Sequence, residues 1–234
     1  MRINKFIAAH TNHSRRKADE LISDHKVFVN GKMVQEMGTI IDPENDRVEI
    51  SGKPIAIQSQ KIYLVLNKPK NFICTRSDEL NRQTIMDLIP KGQNLKPVGR
   101  LDKDSEGLIL LSNDGAFINR FTHPKFECEK EYFVTIKGSL TDETKTKLEN
   151  GIKVDGRKTA KAKIQILKQA ENQTNLRITI HEGRNRQIRK MFAQISTPVK
   201  YLQRIRIGII RLGPLKKGTF RHLTKNEIKC SLAY

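Results

Sequence analysis

Three carboxylates, Asp102, Asp104 and Glu106, alternate through the stretch V-G-R-L-D-K-D-S-E-G-L-I-L-L-S-N-D-G over residues 98–115. Side chains of that type at that spacing admit three chemistries. The first is calcium binding, because D-K-D-S-E-G matches the opening half of an EF-hand loop. The twelfth position is Asn113 rather than Glu, however, and apolar residues follow Gly107, so the register fails. The second is a two-metal nuclease or phosphoryl transferase, which needs further carboxylates at the same point. No second acidic motif stands out in the chain. The third is a single buried acid paired to an arginine, with its companions solvating or capping the loop. On that reading Asp104 and Glu106 belong to the loop itself.

The elements around these acids must hold them. Leu108 to Leu111 is a short apolar run bounded by Gly107 and the turn signal Asn113-Asp114-Gly115, which predicts a buried strand. The acids therefore sit on a loop entering a core strand, at a rigid edge suited to chemistry.

Net charge is 44 − 25 = +19 over 234 residues, which points to a polyanion, since Lys and Arg neutralise phosphates and release counterions. Nucleic acid fits better than an anionic membrane, because no strongly amphipathic basic helix stands out. No apolar stretch is long enough to span a bilayer, and no apolar signal region opens the chain. Three scattered cysteines, Cys74, Cys128 and Cys230, with no C-x-x-C pair, argue against a disulfide framework or a zinc site. The expectation is a cytoplasmic, monomeric protein with no membrane association.

Residues 1–34 read as a compact unit. Ile3, Phe6, Ile7 and Ala8 suit a short helix, and Ser14 is an N-cap for a second helix from Arg15 to Ser23. Val27-Phe28-Val29, Asn30-Gly31 and Lys32-Met33-Val34 predict a hairpin with a type I′ turn. Arg15, Arg16 and Lys17 occupy the first turn of the second helix, where the helix dipole disfavours cations. A solvated charged face is the plain reading. A phosphate-binding surface, cations beside free backbone N–H groups, is the sharper one. Residues 36–49 are acidic by contrast, and Ser51 to Gln60 read as a linker.

The larger part begins at Lys61, with a core strand from Ile62 to Leu66 stopped by Pro69. Further expectations are short helices at Thr84–Ile89 and Ala116–Thr122, a β-rich run at Lys130–Ile136, and a Thr-capped helix at Thr141–Asn150. Strands follow at Ala162–Leu167 and Leu176–Ile180, then a helix at Asn185–Ile195 and a strand at Ile205–Leu212. Strands outnumber helices without regular βα alternation, which predicts an α+β fold on a mixed, largely antiparallel sheet. Residues 183–234 hold thirteen Lys/Arg and one acid, Glu227, expected to form a basic wall for RNA.

Two resemblances add to this. R-I-N-K-F-I, S-R-R-K-A-D-E-L-I and K-V-F-V-N-G-K-M-V resemble an S4 RNA-binding domain over roughly residues 2–50. The resemblance implies contact with structured RNA through Arg2, Lys5, Arg15, Arg16 and Lys17. P-V-G-R-L-D-K-D-S-E-G-L-I-L-L-S-N-D-G then resembles the active-site motif of the ribosomal small-subunit pseudouridine synthase A family, which also includes large-subunit rRNA synthases. L-N-K-P at 66–69, K-E-Y-F-V at 130–134, E-G-R-N-R-Q-I-R-K-M-F at 182–192 and L-Q-R-I-R-I-G at 202–208 match in order.

Carried over by position, the resemblance implies that Asp102 is the catalytic aspartate, with Arg189 paired to it and Tyr132 stacked on the target uracil. Arg100 would enter the space left by the flipped base, and Arg184 and Arg186 would contact RNA phosphates. An arginine beside a carboxylate favours its charged form. Flipping a uridine costs a few kcal/mol, and aromatic stacking returns about 1–3 kcal/mol. On sequence alone Tyr132 reads equally as a core aromatic, Arg189 as a phosphate contact, and His123 and His181 as isolated histidines.

The implied architecture is an S4-like helical and hairpin domain over 1–55 and a pseudouridine synthase catalytic domain over 61–234. The implied reaction is isomerisation of a uridine in rRNA, of the large or else the small subunit, with no metal and no cofactor. The substrate would be rRNA or a ribosome assembly intermediate. A non-catalytic S4-type assembly factor and a metal-dependent RNA-processing enzyme are the alternatives from other classes.

Overall fold

A computed structural model describes residues 1–57, 60–76, 78 and 80–233. The chain divides into two compact units: residues 1–62 with 91–95 and 113–115, and residues 63–90 with 96–112 and 116–234.

The first unit starts with α1 (Ile3–His10) and α2 (Arg15–Ser23), followed by β1 (Val27–Val29), β2 (Lys32–Met33), β3 (Val48–Ile50) and β4 (Lys53–Pro54). Ser14 caps α2 by accepting a hydrogen bond from the Lys17 N–H, as its side-chain chemistry predicts. Ile3, Phe6 and Ile7 of α1 pack with Ala18, Leu21 and Ile22 of α2 over Val27 and Val48, so helical and strand periodicities meet in one core. The sheet order is β2-β1-β3-β4. Asn30-Gly31 turns β1 into β2 with both φ angles positive (51° and 78°), as a type I′ turn requires. Ser51-Gly52 repeats that geometry (50° and 75°). The start of the expected linker is therefore the fourth strand of this sheet; Gln58 and Ser59 of that linker lie outside the described residues.

The second unit contains β5 (Tyr63–Lys68), β6 (Lys96–Val98), β7 (Glu106–Ser112), α3 (Gly115–Thr122), β8 (Lys130–Lys137), α4 (Asp142–Glu149), β9 (Lys153–Val154) and β10 (Arg157–Lys158). It continues through β11 (Lys163–Ala170), β12 (Gln173–Ile180), α5 (Gln187–Ala193), β13 (Val199–Ile207), β14 (Ile210–Arg211), β15 (Phe220–His222) and α6 (Lys225–Leu232). The large sheet runs β11-β12-β8-β13-β7-β5-β15, with β6 also on β7 and β14 on β13. Among the strand pairings of this sheet in the described residues only β7–β13 is parallel, so the sheet is mixed and largely antiparallel as expected.

Every residue of β7 is buried, which explains why its sequence runs apolar rather than alternating. Leu108 and Leu110 pack against Phe117 and Phe121 of α3, together with Val65, Val98 and Ile207.

Two expected elements differ. The strand expected at 205–212 is the end of a longer one: β13 begins at Val199, turns at Gly208 (φ 53°) and folds back as β14. Its first half was hidden because Lys200, Gln203 and Arg204 interrupt the apolar pattern. The helix expected at 185–195 is shorter, because Arg186 adopts a left-handed φ of 51° and delays its start to Gln187. Among the described residues no helix is long and apolar enough to cross a membrane.

Candidate active site

The loop before β7 is fastened from below. Lys68, at the end of β5, is fully buried and donates from Nζ to the carbonyl oxygens of Ser105 (2.8 Å), Asp102 (3.0 Å) and Pro69 (3.1 Å). Burial pushes the Lys68 ammonium below its ordinary value, while nearby Cys74 and the loop carboxylates pull it back. Cys74 Sγ accepts the Leu101 N–H at 3.3 Å, and Asn71 N–H donates to the Lys103 carbonyl at 2.8 Å. A turn from the Ser105 N–H to the Asp102 carbonyl (3.1 Å) closes the loop. Sequence reading missed Lys68 and Cys74 as parts of the site. The L-N-K-P match was a signal for Lys68, but nothing in the sequence said that a lysine would be buried there.

The three carboxylates diverge. Asp102 faces a cleft of about 610 Å³. Asp104 receives both Nη atoms of Arg186 at 3.0 Å, and Arg189 Nε lies 3.2 Å from its Oδ2, an ion pair without hydrogen-bond alignment. Burial would raise the Asp104 carboxyl, but the Arg186 hydrogen bonds and the two guanidinium charges hold it below its ordinary value. Glu106 is 5 % exposed, against the expectation of a solvated loop group. It accepts from Lys217 Nζ (2.6 Å) and the Tyr201 hydroxyl (2.8 Å), because its strand position turns it into the sheet rather than toward the loop. Burial raises the Tyr201 phenol, and its bond to Glu106 adds to that shift.

The expected pairing of Arg189 with Asp102 is therefore corrected. Arg189 meets Asp104, and also donates from Nη2 to the Asp104 carbonyl at 3.1 Å. The basic group nearest the Asp102 carboxylate is Arg186, whose Nη1 is 3.9 Å from Oδ2. Because α5 starts at Gln187, Arg186 sits at its mouth beside the loop, while Arg189, one turn on, reaches the loop backbone instead.

Asp102 shares the cleft with Arg100, Tyr132, Arg184, Arg186 and Arg204. Tyr132 comes from β8 and is 7 % exposed, and Ile180, Ile188, Leu202 and Ile207 give the cleft it lines an apolar side. Arg100 is exposed at the rim. Arg184 is engaged: Nε meets Glu182 at 3.1 Å, and Nη1 and Nη2 donate to the carbonyls of Arg157 and Lys158 at 3.2 and 2.7 Å. It braces the β9–β10 hairpin from the cleft wall. His123 Nδ1 accepts the Lys125 N–H, and the His181 carbonyl accepts from Lys130.

The basic tail is partly neutralised in the fold. Arg206 pairs with Glu131 and Glu129, Arg221 with Glu227 and Lys217 with Glu106, so it is only in part the open wall expected for RNA. In the first unit Arg2, Lys5, Arg15, Arg16 and Lys17 are all exposed, with Lys17 bonded to Glu20 at 2.7 Å.

An acid on a fastened loop, facing a cleft lined by an aromatic and several arginines and preceded in the chain by a helix–hairpin unit, fits one class of protein: an enzyme that acts on a nucleic acid. Comparison with known proteins agrees. Residues 62–194 match the model of the RNA pseudouridylate synthase family, and residues 1–48 match the S4 domain. Ribosomal large subunit pseudouridine synthase B of Bacillus subtilis is 41 % identical over 231 residues, covering 97 % of this chain and 94 % of that protein. Ribosomal small subunit pseudouridine synthase A of Escherichia coli K12 is 36 % identical over 233 residues, with 97 % and 98 % covered. A solved pseudouridylate synthase superposes with a TM-score of 0.73 at 33 % identity, covering 99 % of both chains. The chain belongs to the RNA pseudouridine synthase family and carries an N-terminal S4 domain.

Proposed function

We propose that this enzyme isomerises a uridine of ribosomal RNA to pseudouridine, with Asp102 as the catalytic aspartate and Tyr132 as the stacking surface for the flipped base. The observation that carries the reading is the shared cleft: Asp102 and Tyr132 line one cavity together with an apolar set, Ile180, Ile188, Leu202 and Ile207, and several arginines. Arg189 and Arg186 act by holding the loop through Asp104, and Arg100 at the rim fills the gap in the RNA stack. Arg2, Lys5, Arg15, Arg16 and Lys17 form the phosphate-binding face of an RNA-binding domain over 1–55, ahead of a catalytic domain over 61–234.

The large-subunit rRNA is the preferred substrate, free or within an assembly intermediate. The 41 % identity to a relative named for the large subunit, against 36 % to one named for the small subunit, supports that preference. The enzyme works as a monomer in the cytoplasm.

Purified enzyme incubated with each rRNA, followed by pseudouridine mapping, tests the reading. Asp102→Asn should abolish isomerisation while RNA binding persists, and activity surviving in that variant would remove Asp102 from its role. Modification of the small-subunit rRNA alone would reverse the preferred substrate.

A further inference from the structure

Arg204 is the side chain that the loop, the stacking surface and the phosphate contacts leave unexplained. It lies on β13 between the two strands that carry the rest of the site. Across one edge it is the direct register partner of Tyr132 on β8; across the other it pairs with Gly107 on β7. Directly opposed residues share a face of the sheet, so Arg204 and Tyr132 point to the same side, and both line the cleft with Asp102.

Arg204 is 3 % exposed. Nε donates to the Leu108 carbonyl at 2.7 Å, which fixes the plane of the group. Nη2 is buried and has no hydrogen-bond partner, and no carboxylate lies within ion-pair distance of Arg204 among the described residues. A buried charged donor left unmatched is costly and calls for an explanation, and beside a cleft an acceptor that arrives from outside supplies one. The other cations of the cleft wall, Arg100 apart, are engaged elsewhere. Lys130 donates to the carbonyls of Cys128 and His181, Arg184 to Glu182 and two carbonyls, and Arg186 to Asp104; Arg100 stands exposed at the rim.

The geometry points to Arg204 as a further catalytic residue, its Nη2 donating to a carbonyl oxygen of the uracil seated against Tyr132. This rests on the proposed isomerisation. In that reaction the C1′–N1 bond breaks and its electron pair passes to the ring, which spreads the charge onto O2 and O4. The C1′–C5 bond then forms, the C5 proton leaves and N1 takes one up, so nothing is oxidised or reduced. Whether the aspartate attacks C1′, adds to C6 or removes a ribose proton, the base carries extra electron density on those oxygens before it re-joins. An oriented, desolvated arginine N–H is stronger there than any water, and arginine does not lose its proton in the exchange.

The test is a cycle between enzyme and substrate, run with the full chain on an rRNA fragment containing uridine, 2-thiouridine or 4-thiouridine at the modified position. Sulfur is a poorer acceptor than oxygen. Arg204→Met should slow single-turnover isomerisation by about 100- to 1,000-fold, with RNA affinity within about twofold of wild type. One of the two thio substitutions should slow the wild-type enzyme yet slow Arg204→Met no further, since the bond it weakens is already gone. Arg204→Lys, which keeps the charge without the fork, supplies the same cycle if the methionine variant does not fold. Additive effects at both positions, or an unchanged rate in either variant, would overturn the assignment. A wild-type enzyme that makes no pseudouridine in any rRNA would instead overturn the proposed function, so the two failures are distinguishable.

Discussion

Gly107 and Arg204 oppose each other across the parallel pair β7–β13 so closely that a Cβ on Gly107 would stand 2.3 Å from the Arg204 carbonyl oxygen and 2.7 Å from its nitrogen. Gly107 also has φ +103°, a conformation other residues rarely adopt. This one glycine lets the strand that follows the Asp102 loop lie against the strand that carries Arg204. Gly107→Ala should lower stability by about 2–4 kcal/mol, from backbone strain and the displaced strand together. Urea unfolding measures it; an alanine variant as stable as wild type would show that the close approach is not required.

Lys68 holds the loop by its backbone. Lys68→Met strands the carbonyls of Asp102 and Ser105 beneath the loop, at a cost of about 1–3 kcal/mol for a lost buried donor. Because Lys68 lies below the loop, kcat should fall while KM stays near its wild-type value. A change confined to KM would mean that Lys68 serves RNA binding instead.

Tyr132 should act through its ring. Stacking worth about 1–3 kcal/mol predicts that Tyr132→Ala loses roughly 5- to 150-fold in kcat/KM, whereas Tyr132→Phe keeps most of it. Equal losses in both variants would assign the role to the hydroxyl.

The exposed cations of α2 should appear in the salt dependence of binding. Replacing Arg15, Arg16 and Lys17 with alanine removes up to three phosphate contacts, so the slope of log K against log salt should flatten by about 2–3. An unchanged slope would leave these residues as a solvated face. α2 itself should persist, because its Ser14 cap and its buried Ala18, Leu21 and Ile22 are untouched.

Glu227 makes one contribution to stability dependent on pH. The two hydrogen bonds from Arg221 at 2.8 Å, with burial opposing and the Thr224 N–H helping, hold its carboxyl below the ordinary glutamate value of 4.5. The folded form thus binds fewer protons than the unfolded chain. The stabilisation is present above pH 4.5 and is lost as pH falls through the folded-state value. Glu227→Gln should cost up to about 1 kcal/mol at pH 7, from the lost ion pair, since a glutamine side chain still accepts the Thr224 N–H. The gap should narrow as pH falls below 4.5 in urea titrations; a gap independent of pH would assign the whole effect to packing.

What the sequence determined by itself was local. Ser14, Asn30-Gly31, Thr141 and the apolar run of β7 specified caps, a turn and a buried strand, because those signals act between residues a few positions apart. Ordered motifs were enough to select Asp102 and Tyr132, since matching types in order requires no distances. The tertiary structure decided which arginine meets which acid. Arg186 and Arg189 lie three residues apart on one basic segment, and the left-handed start of α5 places them so that both reach Asp104 while only Arg186 comes within 4.0 Å of the Asp102 carboxylate. It also decided that Lys68 and Arg204, which read as surface cations in any linear view, are buried by the sheet. Burial depends on strand order, and strand order is set by contacts between residues far apart in the chain. That is why the catalytic candidate was legible in the sequence and the residues that hold and complement it were not.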